Sequence, residues 1–133
     1  MFSKLSILIP CYNEATFIAQ TLEKILATNL DYNLDKEIII VDDGSTDDSF
    51  RVIETFIKDH PAMVCILVSM DKNGGKGASI MNALRMASGD IVVIQDADLE
   101  YDPADYNKML QPIVDGHADV VYGSRFMGVG PHR

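Results

Sequence analysis

Three carboxylates alternate along Asp96-Ala97-Asp98-Leu99-Glu100. In an extended chain they share one face. Three such groups so close together repel one another unless a hard cation lies between them. Asp96 and Asp98 therefore read as metal ligands. An EF-hand is excluded, because Tyr101 and Asn107 stand where that loop needs glycine and glutamate. Asp102, just ahead of Pro103, reads as a helix cap.

Other chemistry-bearing residues fall at comparable places. Pro10-Cys11-Tyr12-Asn13-Glu14 offers the flat Tyr12 ring to a ligand base. Asn13 can cap a following helix, with Glu14 in its first turn. In Asp42-Asp43-Gly44-Ser45-Thr46-Asp47-Asp48-Ser49, Ser45 and Asp48 come close to a capping box, which makes Asp47 and Asp48 structural. Asp42 and Asp43 end an apolar run, where a carboxylate can accept hydrogen bonds from a base or ribose. In Asn73-Gly74-Gly75-Lys76-Gly77, three glycines would let backbone amides approach an anion, and Lys76 could reach a phosphate. This is no Walker A loop, since Met70 and Gly77 occupy positions that need glycine and Ser/Thr. Arg125, in Gly123-Ser124-Arg125, could pair with a phosphate, although a surface ion pair is the commoner fate of a lone arginine.

These segments must be held by regular elements. Apolar runs at 5–9, 37–41, 63–69, 91–95 and 119–123 read as strands covered on both faces. Helical patterns at 14–27, 47–58, 77–87 and 104–115 separate them. Strand–helix alternation implies a parallel sheet with right-handed crossovers. Each chemistry-bearing segment then follows a strand, which is where open α/β sheets bind ligands. No G-x-G-x-x-G fingerprint follows the first strand, so a dinucleotide fold is disfavoured. The first four strands should run 3-2-1-4.

The chain has 133 residues, 47% apolar and 23% charged, which suits one domain with a real core and excludes a disordered chain. No apolar run reaches the roughly 20 residues that span a bilayer. The first residues enter a strand-like run at once, so no signal peptide is expected. The net charge of −9 argues against nucleic acid as a partner. Cys11 and Cys65 lie at or within apolar runs and read as reduced core residues of a cytoplasmic protein. His60 and His117 fall in turns and receive no chemistry.

Taken in order, the segments at 10–14, 41–47, 73–77, 96–98 and 123–125 resemble those of family 2 glycosyltransferases. Asp96-Ala97-Asp98-Leu99-Glu100 and Gly123-Ser124-Arg125-Phe126, followed by Gly130-Pro131-His132-Arg133, narrow the likeness to dolichyl- and undecaprenyl-phosphate glycosyltransferases. The resemblance implies a GT-A fold, an α/β doubly wound and mostly parallel sheet with helices on both faces. It implies a nucleoside pocket lined by Pro10, Tyr12, Glu14 and Asp43, with Asp42 nearby. Gly74, Lys76 and Ala97 would serve the nucleotide and its phosphates. Asp96, Asp98 and Glu100 would hold Mg²⁺ or Mn²⁺ on the diphosphate, Glu100 less securely because several members carry glutamine there. Arg125 would sit in a mobile loop over donor and acceptor, making Asp96, Asp98 and Arg125 the catalytic set.

The implied activity is metal-dependent, inverting transfer from a UDP- or GDP-sugar to a polyprenyl phosphate or another membrane-associated acceptor. The chain would be the donor-binding part, at the cytoplasmic face of a membrane, with membrane contact made by parts outside residues 1–133. In folds of this type an antiparallel strand fits between the fourth and fifth strands, and it is expected from beyond Arg133. The 91–94 edge would then take the fifth strand as its neighbour, or associate, or aggregate. Two other readings stand beside this one. A nucleotidyltransferase also joins an α/β sheet to acidic ligands, but it would place a basic, glycine-rich loop after the first strand. A nucleotide-binding module without turnover is the third.

Overall fold

The computed structural model describes residues 2–98 and 102–116, together with the backbone of two strands at 120–121 and 126–128. The elements are β1 (Lys4–Cys11), α1 (Ile18–Ala27), β2 (Asp35–Asp42), α2 (Ser49–Asp59), β3 (Cys65–Ser69), α3 (Lys76–Met86) and β4 (Ile91–Ile94). A 3₁₀ turn (Pro103–Asp105) leads into α4 (Tyr106–Val114), and β5 (Val120–Val121) and β6 (Phe126–Gly128) follow. One six-stranded sheet has the order β3-β2-β1-β4-β6-β5. The expected 3-2-1-4 order and GT-A-type α/β architecture are what the chain adopts.

Strand pleating explains the two-sided core. Alternate residues of β1, Leu5, Ile7 and Ile9, join Ile38 and Ile40 of β2 and Ile91 and Val93 of β4 on one face. That face is covered by Ile18, Leu22 and Ile25 of α1, Ile53 and Phe56 of α2, and Tyr106, Leu110 and Ile113 of α4. Leu8, Ile39, Val41 and Val92 point the other way and meet Ala83 of α3. Ile18, Leu22 and Ile25 are fully buried, and each such side chain contributes about 1.5–3 kcal/mol through burial. Both faces being covered is why these strands read as near-continuous apolar runs.

The sheet corrects one expectation. β6 runs antiparallel between β4 and β5, pairing Ile91 with Gly128 and Val92 with Met127, and Val121 with Phe126. The inserted strand therefore comes from within the chain, and it covers the β4 edge that the sequence reading left open. The antiparallel hairpin needs only a short connection, whereas a parallel partner requires a long crossover, so a strand this close in sequence to β5 can supply it.

Element boundaries shift for local reasons. The first helix starts at Ile18 instead of Glu14. Asn13 has φ of +53°, and the Glu14 carbonyl accepts from the amides of both Phe17 and Ile18 at 3.1 and 2.9 Å, so residues 14–17 form a turn ahead of the helix, with Phe17 at φ −114° as its cap. The last helix opens with the 3₁₀ turn because Asp102 Oδ1 accepts from Ala104 N–H at 3.0 Å and Pro103 follows it. Asp102 thus caps, as its position indicated. Among the described residues no helix is long and apolar enough to cross a membrane.

Candidate active site

Parallel register brings the ends of the first four strands to one edge. Cys11 lies opposite Asp42, Asp42 opposite Ser69, and Leu8 opposite Ile94. The loops that leave these ends interlock.

Asn13 does not cap α1. Its Oδ1 accepts from Thr46 N–H at 2.8 Å and Asp47 N–H at 3.3 Å, tying the β1 loop to the β2 loop. The tie is returned by Ser45 Oγ, which accepts from Asn13 N–H at 3.0 Å, and by Ser49 Oγ, which accepts from Glu14 N–H at 2.8 Å. The Ser45–Asp48 capping box also fails to form. Ser45 Oγ instead donates to Asp42 Oδ1 in a short hydrogen bond, while Asp47 Oδ1 accepts from Ser49 N–H at 2.9 Å. Asn13 and Ser45 thus bind across to a neighbouring strand's loop, while Ser45 and Asp47 also make contacts within their own loop, and none of these is the local helix cap that sequence spacing had matched.

The β2 loop then grips the β3 loop. Asp43 is 3% exposed, and its two oxygens accept from the amides of Gly74 and Gly75, each at 2.8 Å. Those two amides therefore serve the protein's own Asp43 carboxylate and not the ligand anion that the glycine-rich spacing suggests. Gly75 has φ of +93°, which lets both amides converge on one side chain. Gly44 is equally constrained. With φ of +72°, a Cβ there would lie 2.8 Å from Asn73 N.

The β4 loop carries Asp96, Ala97 and Asp98. Thr21 Oγ1 of α1 donates to the Ala97 carbonyl at 2.8 Å in a fully buried contact. Tyr106 donates its phenol proton to Gln95 Oε1 at 2.6 Å, and Gln95 Nε2 donates to the Asp96 carbonyl at 3.2 Å. Sequence reasoning missed Thr21, Gln95 and Tyr106, which fix this loop. Their signal was a polar side chain within an apolar helical stripe or at a strand end. Lys76, at the start of α3, forms a close ion pair with Asp96.

The loops enclose a cavity of about 320 Å³, lined by Pro10, Cys11, Tyr12, Glu14, Asp43, Asn73, Gly75, Lys76, Ser79, Asp96, Ala97 and Asp98. The structure thus brings together Pro10, Tyr12, Glu14, Asp43, Lys76, Asp96, Ala97 and Asp98 of the sequence-derived set. Asp42 is buried on Ser45, and Gly74 is held by Asp43. Neither lines the cavity. Glu100 and Arg125 lie outside the described residues. Cys11 joins the core, and burial pushes its thiol up to about 12, with the nearby Asp42 charge adding to the shift. It is a neutral wall residue and no nucleophile.

The cavity is acidic. Burial raises the Glu14 carboxyl above its usual range, and the charges of Asp98, Asp47 and Asp96 raise it further. Among the described residues no three His, Cys, Asp or Glu side chains converge as a complete metal cage. Two carboxylates facing one cavity, with an ammonium already drawn to one of them, still fit a divalent ion. Such ions bind through one or two carboxylates and complete their shell with substrate phosphates and water.

Comparison with known proteins agrees with this geometry. The family described as "Glycosyl transferase family 2" matches residues 6–131. An undecaprenyl-phosphate 4-deoxy-4-formamido-L-arabinose transferase of Proteus mirabilis is 34% identical over 121 residues, covering 90% of this chain and 36% of its own length. A dolichol-phosphate mannosyltransferase of Pyrococcus furiosus is 31% identical over 127 residues, covering 96% of this chain and 34% of its own. The chain spans about a third of the length of these relatives. Among solved structures, a Pyrobaculum calidifontis mannosyltransferase in complex with GDP-Man and Mn²⁺ matches with a TM-score of 0.69 and 33% identity, over 79% of this chain and 30% of the other. The S. aureus TarS 1-349 complex with UDP matches with a TM-score of 0.73 and 25% identity, over 96% and 38%.

Proposed function

Because the chain belongs to glycosyl transferase family 2, we propose that its cavity binds the nucleoside diphosphate of a sugar donor and that the whole protein transfers the sugar to a polyprenyl phosphate. The observation that carries this reading is the meeting, in one cavity, of Asp96 and Asp98 with Pro10, Tyr12 and Asp43. An acidic end suits a metal–diphosphate and a partly aromatic end suits a base. The relatives' printed names support a lipid-phosphate acceptor, and the complexes with GDP-Man and UDP support a nucleotide donor.

Asp96 and Asp98 would hold Mg²⁺ or Mn²⁺, with Glu100 as a further ligand. The ion, when bound, supplies Lewis-acid stabilisation of charge on the departing diphosphate. The chain's own residues do the positioning. The Tyr12 ring, 42% exposed at the cavity mouth, offers a face to the base. Asp43 keeps unused lone pairs toward base or ribose after accepting from two amides. Lys76 can leave Asp96 for a phosphate oxygen once that carboxylate is neutralised. Arg125 would close over donor and acceptor. Attack from the face opposite the leaving diphosphate inverts the anomeric carbon. A polyprenyl phosphate attacks as an anion, so no strong general base is required. Membrane contact falls to parts of the protein beyond these residues.

Calorimetric titration with UDP and GDP, with Mn²⁺ and with EDTA, tests the proposal. Binding should be metal-enhanced, and Asp98→Ala should remove most of the enhancement. Identical affinities with Mn²⁺ and EDTA would overturn the metal assignment, and absence of nucleotide binding would overturn the whole reading.

A further inference from the structure

Ser79 lies three residues beyond Lys76 on the first turns of α3, fully buried and in the cavity wall. Its hydroxyl is the one buried side-chain polar atom without a hydrogen-bond partner among the described residues. Its neighbours in the site are satisfied: Asp43 by two amides, Thr21 by the Ala97 carbonyl, Ser49 by the Glu14 amide. Helical serines commonly turn back to the carbonyl four residues earlier. Here the Gly75 carbonyl accepts the Ser79 amide at 3.1 Å, while the hydroxyl makes no such bond, in a residue that lines the cavity. A buried hydroxyl without a partner is unfavourable, so a ligand atom that supplies the bond recovers that cost.

We infer that Ser79 Oγ reads the nucleobase of the donor, donating to a base carbonyl next to a ring N–H that Asp43 accepts. This rests on the nucleotide-binding reading above and narrows it. A Cβ placed on Gly74 would lie 3.5 Å from Ala78 Cβ and 3.8 Å from Asp43 Oδ1. Asp43 Oδ2 accepts from the Gly75 amide at 2.8 Å, and the Gly75 carbonyl accepts from the Ser79 amide at 3.1 Å, so the carboxylate lies at the start of the α3 turn that carries Ser79. A phosphate would be repelled by this buried carboxylate, whereas a neutral planar group carrying an N–H suits it. With a carboxylate that only accepts beside a hydroxyl that can donate, the matching edge is N–H next to C=O. Uracil and guanine present that edge. Adenine and cytosine present a bare ring nitrogen there, which would face the carboxylate lone pairs.

The test measures UDP, GDP, ADP and CDP affinity, with Mn²⁺–pyrophosphate as a probe lacking the base, for the wild-type protein, Ser79→Ala and the similarly sized Ser79→Cys. UDP or GDP should bind at least about tenfold more tightly than ADP and CDP. Both variants should lose about three- to tenfold of that preferred affinity, the worth of one neutral hydrogen bond. Pyrophosphate affinity and the melting temperature of the ligand-free protein should not fall. Unchanged preferred affinity in both variants, an equal loss for pyrophosphate, or a lowered ligand-free melting temperature would overturn the role of Ser79 alone. A wild-type preference for ADP or CDP would overturn the edge assignment. Failure of the wild type to bind any nucleotide would overturn this inference together with the function it rests on.

Discussion

Replacing Asp43 by asparagine separates the scaffold of the cavity from its contact with ligand. The side chain is 3% exposed and accepts from the Gly74 and Gly75 amides, each at 2.8 Å. Asparagine keeps the shape but turns one acceptor into a donor that faces an N–H. One hydrogen bond to a charged group, worth about 1.5–3 kcal/mol, is lost, and a part-buried amide is left unmatched. The expected destabilisation is about 2–4 kcal/mol. With about 2.1 cal/mol/K of unfolding entropy per residue, a unit of 133 residues should melt about 7–14 °C lower. Circular dichroism melts without nucleotide measure this shift directly. UDP or GDP titration in EDTA should also weaken, because the loop that frames the base end loosens. A melting temperature unchanged in the ligand-free protein would refute the clamp. A loss confined to the metal-dependent part of binding would refute the assignment of Asp43 to the nucleoside.

Two further outcomes are expected. Glu37 is buried, which disfavours its charge, but hydrogen bonds from Ser6 and from the Ser88 amide and hydroxyl outweigh burial and hold its carboxyl below the usual 4.5. A lowered carboxyl contributes stability above its unfolded value and loses it as pH falls through the folded one. Glu37→Gln should therefore be less stable at neutral pH by about 1.5–3 kcal/mol, and the gap from wild type should narrow progressively as pH falls below about 4.5; a constant gap from neutral to acid pH would refute this. Lys76→Ala removes the ammonium paired with Asp96, and since the Lys76 side chain is 57% exposed its loss should cost at most about 1 kcal/mol of stability. Without nucleotide, Mn²⁺ titrated by paramagnetic resonance should bind that variant more tightly, and weaker binding would show that Lys76 does not compete for the carboxylate.

The alternation of apolar runs with amphipathic stretches carried the parallel α/β sheet and its 3-2-1-4 order, because two-faced burial leaves a mark on every residue of a central strand. The residue types at strand ends likewise located Pro10, Tyr12, Asp43, Lys76, Asp96 and Asp98 in one cavity, since parallel strands deliver all their carboxyl ends to one edge. Tertiary structure decided what those residues touch. Asn13 and Ser45 matched local caps in sequence, yet they bind across loops, because partners brought together by register lie closer than the helix ends. The glycine loop looked ready for an anion, yet two of its amides serve Asp43, whose position depends on β2 lying beside β3. Thr21, Gln95 and Tyr106 looked like ordinary core and edge residues until packing aimed them at the Asp96–Asp98 loop. β6 was invisible because a three-residue strand carries too few side chains to show a period. Only the open edge of β4, waiting for hydrogen bonds, gives Phe126–Gly128 its place in the sheet.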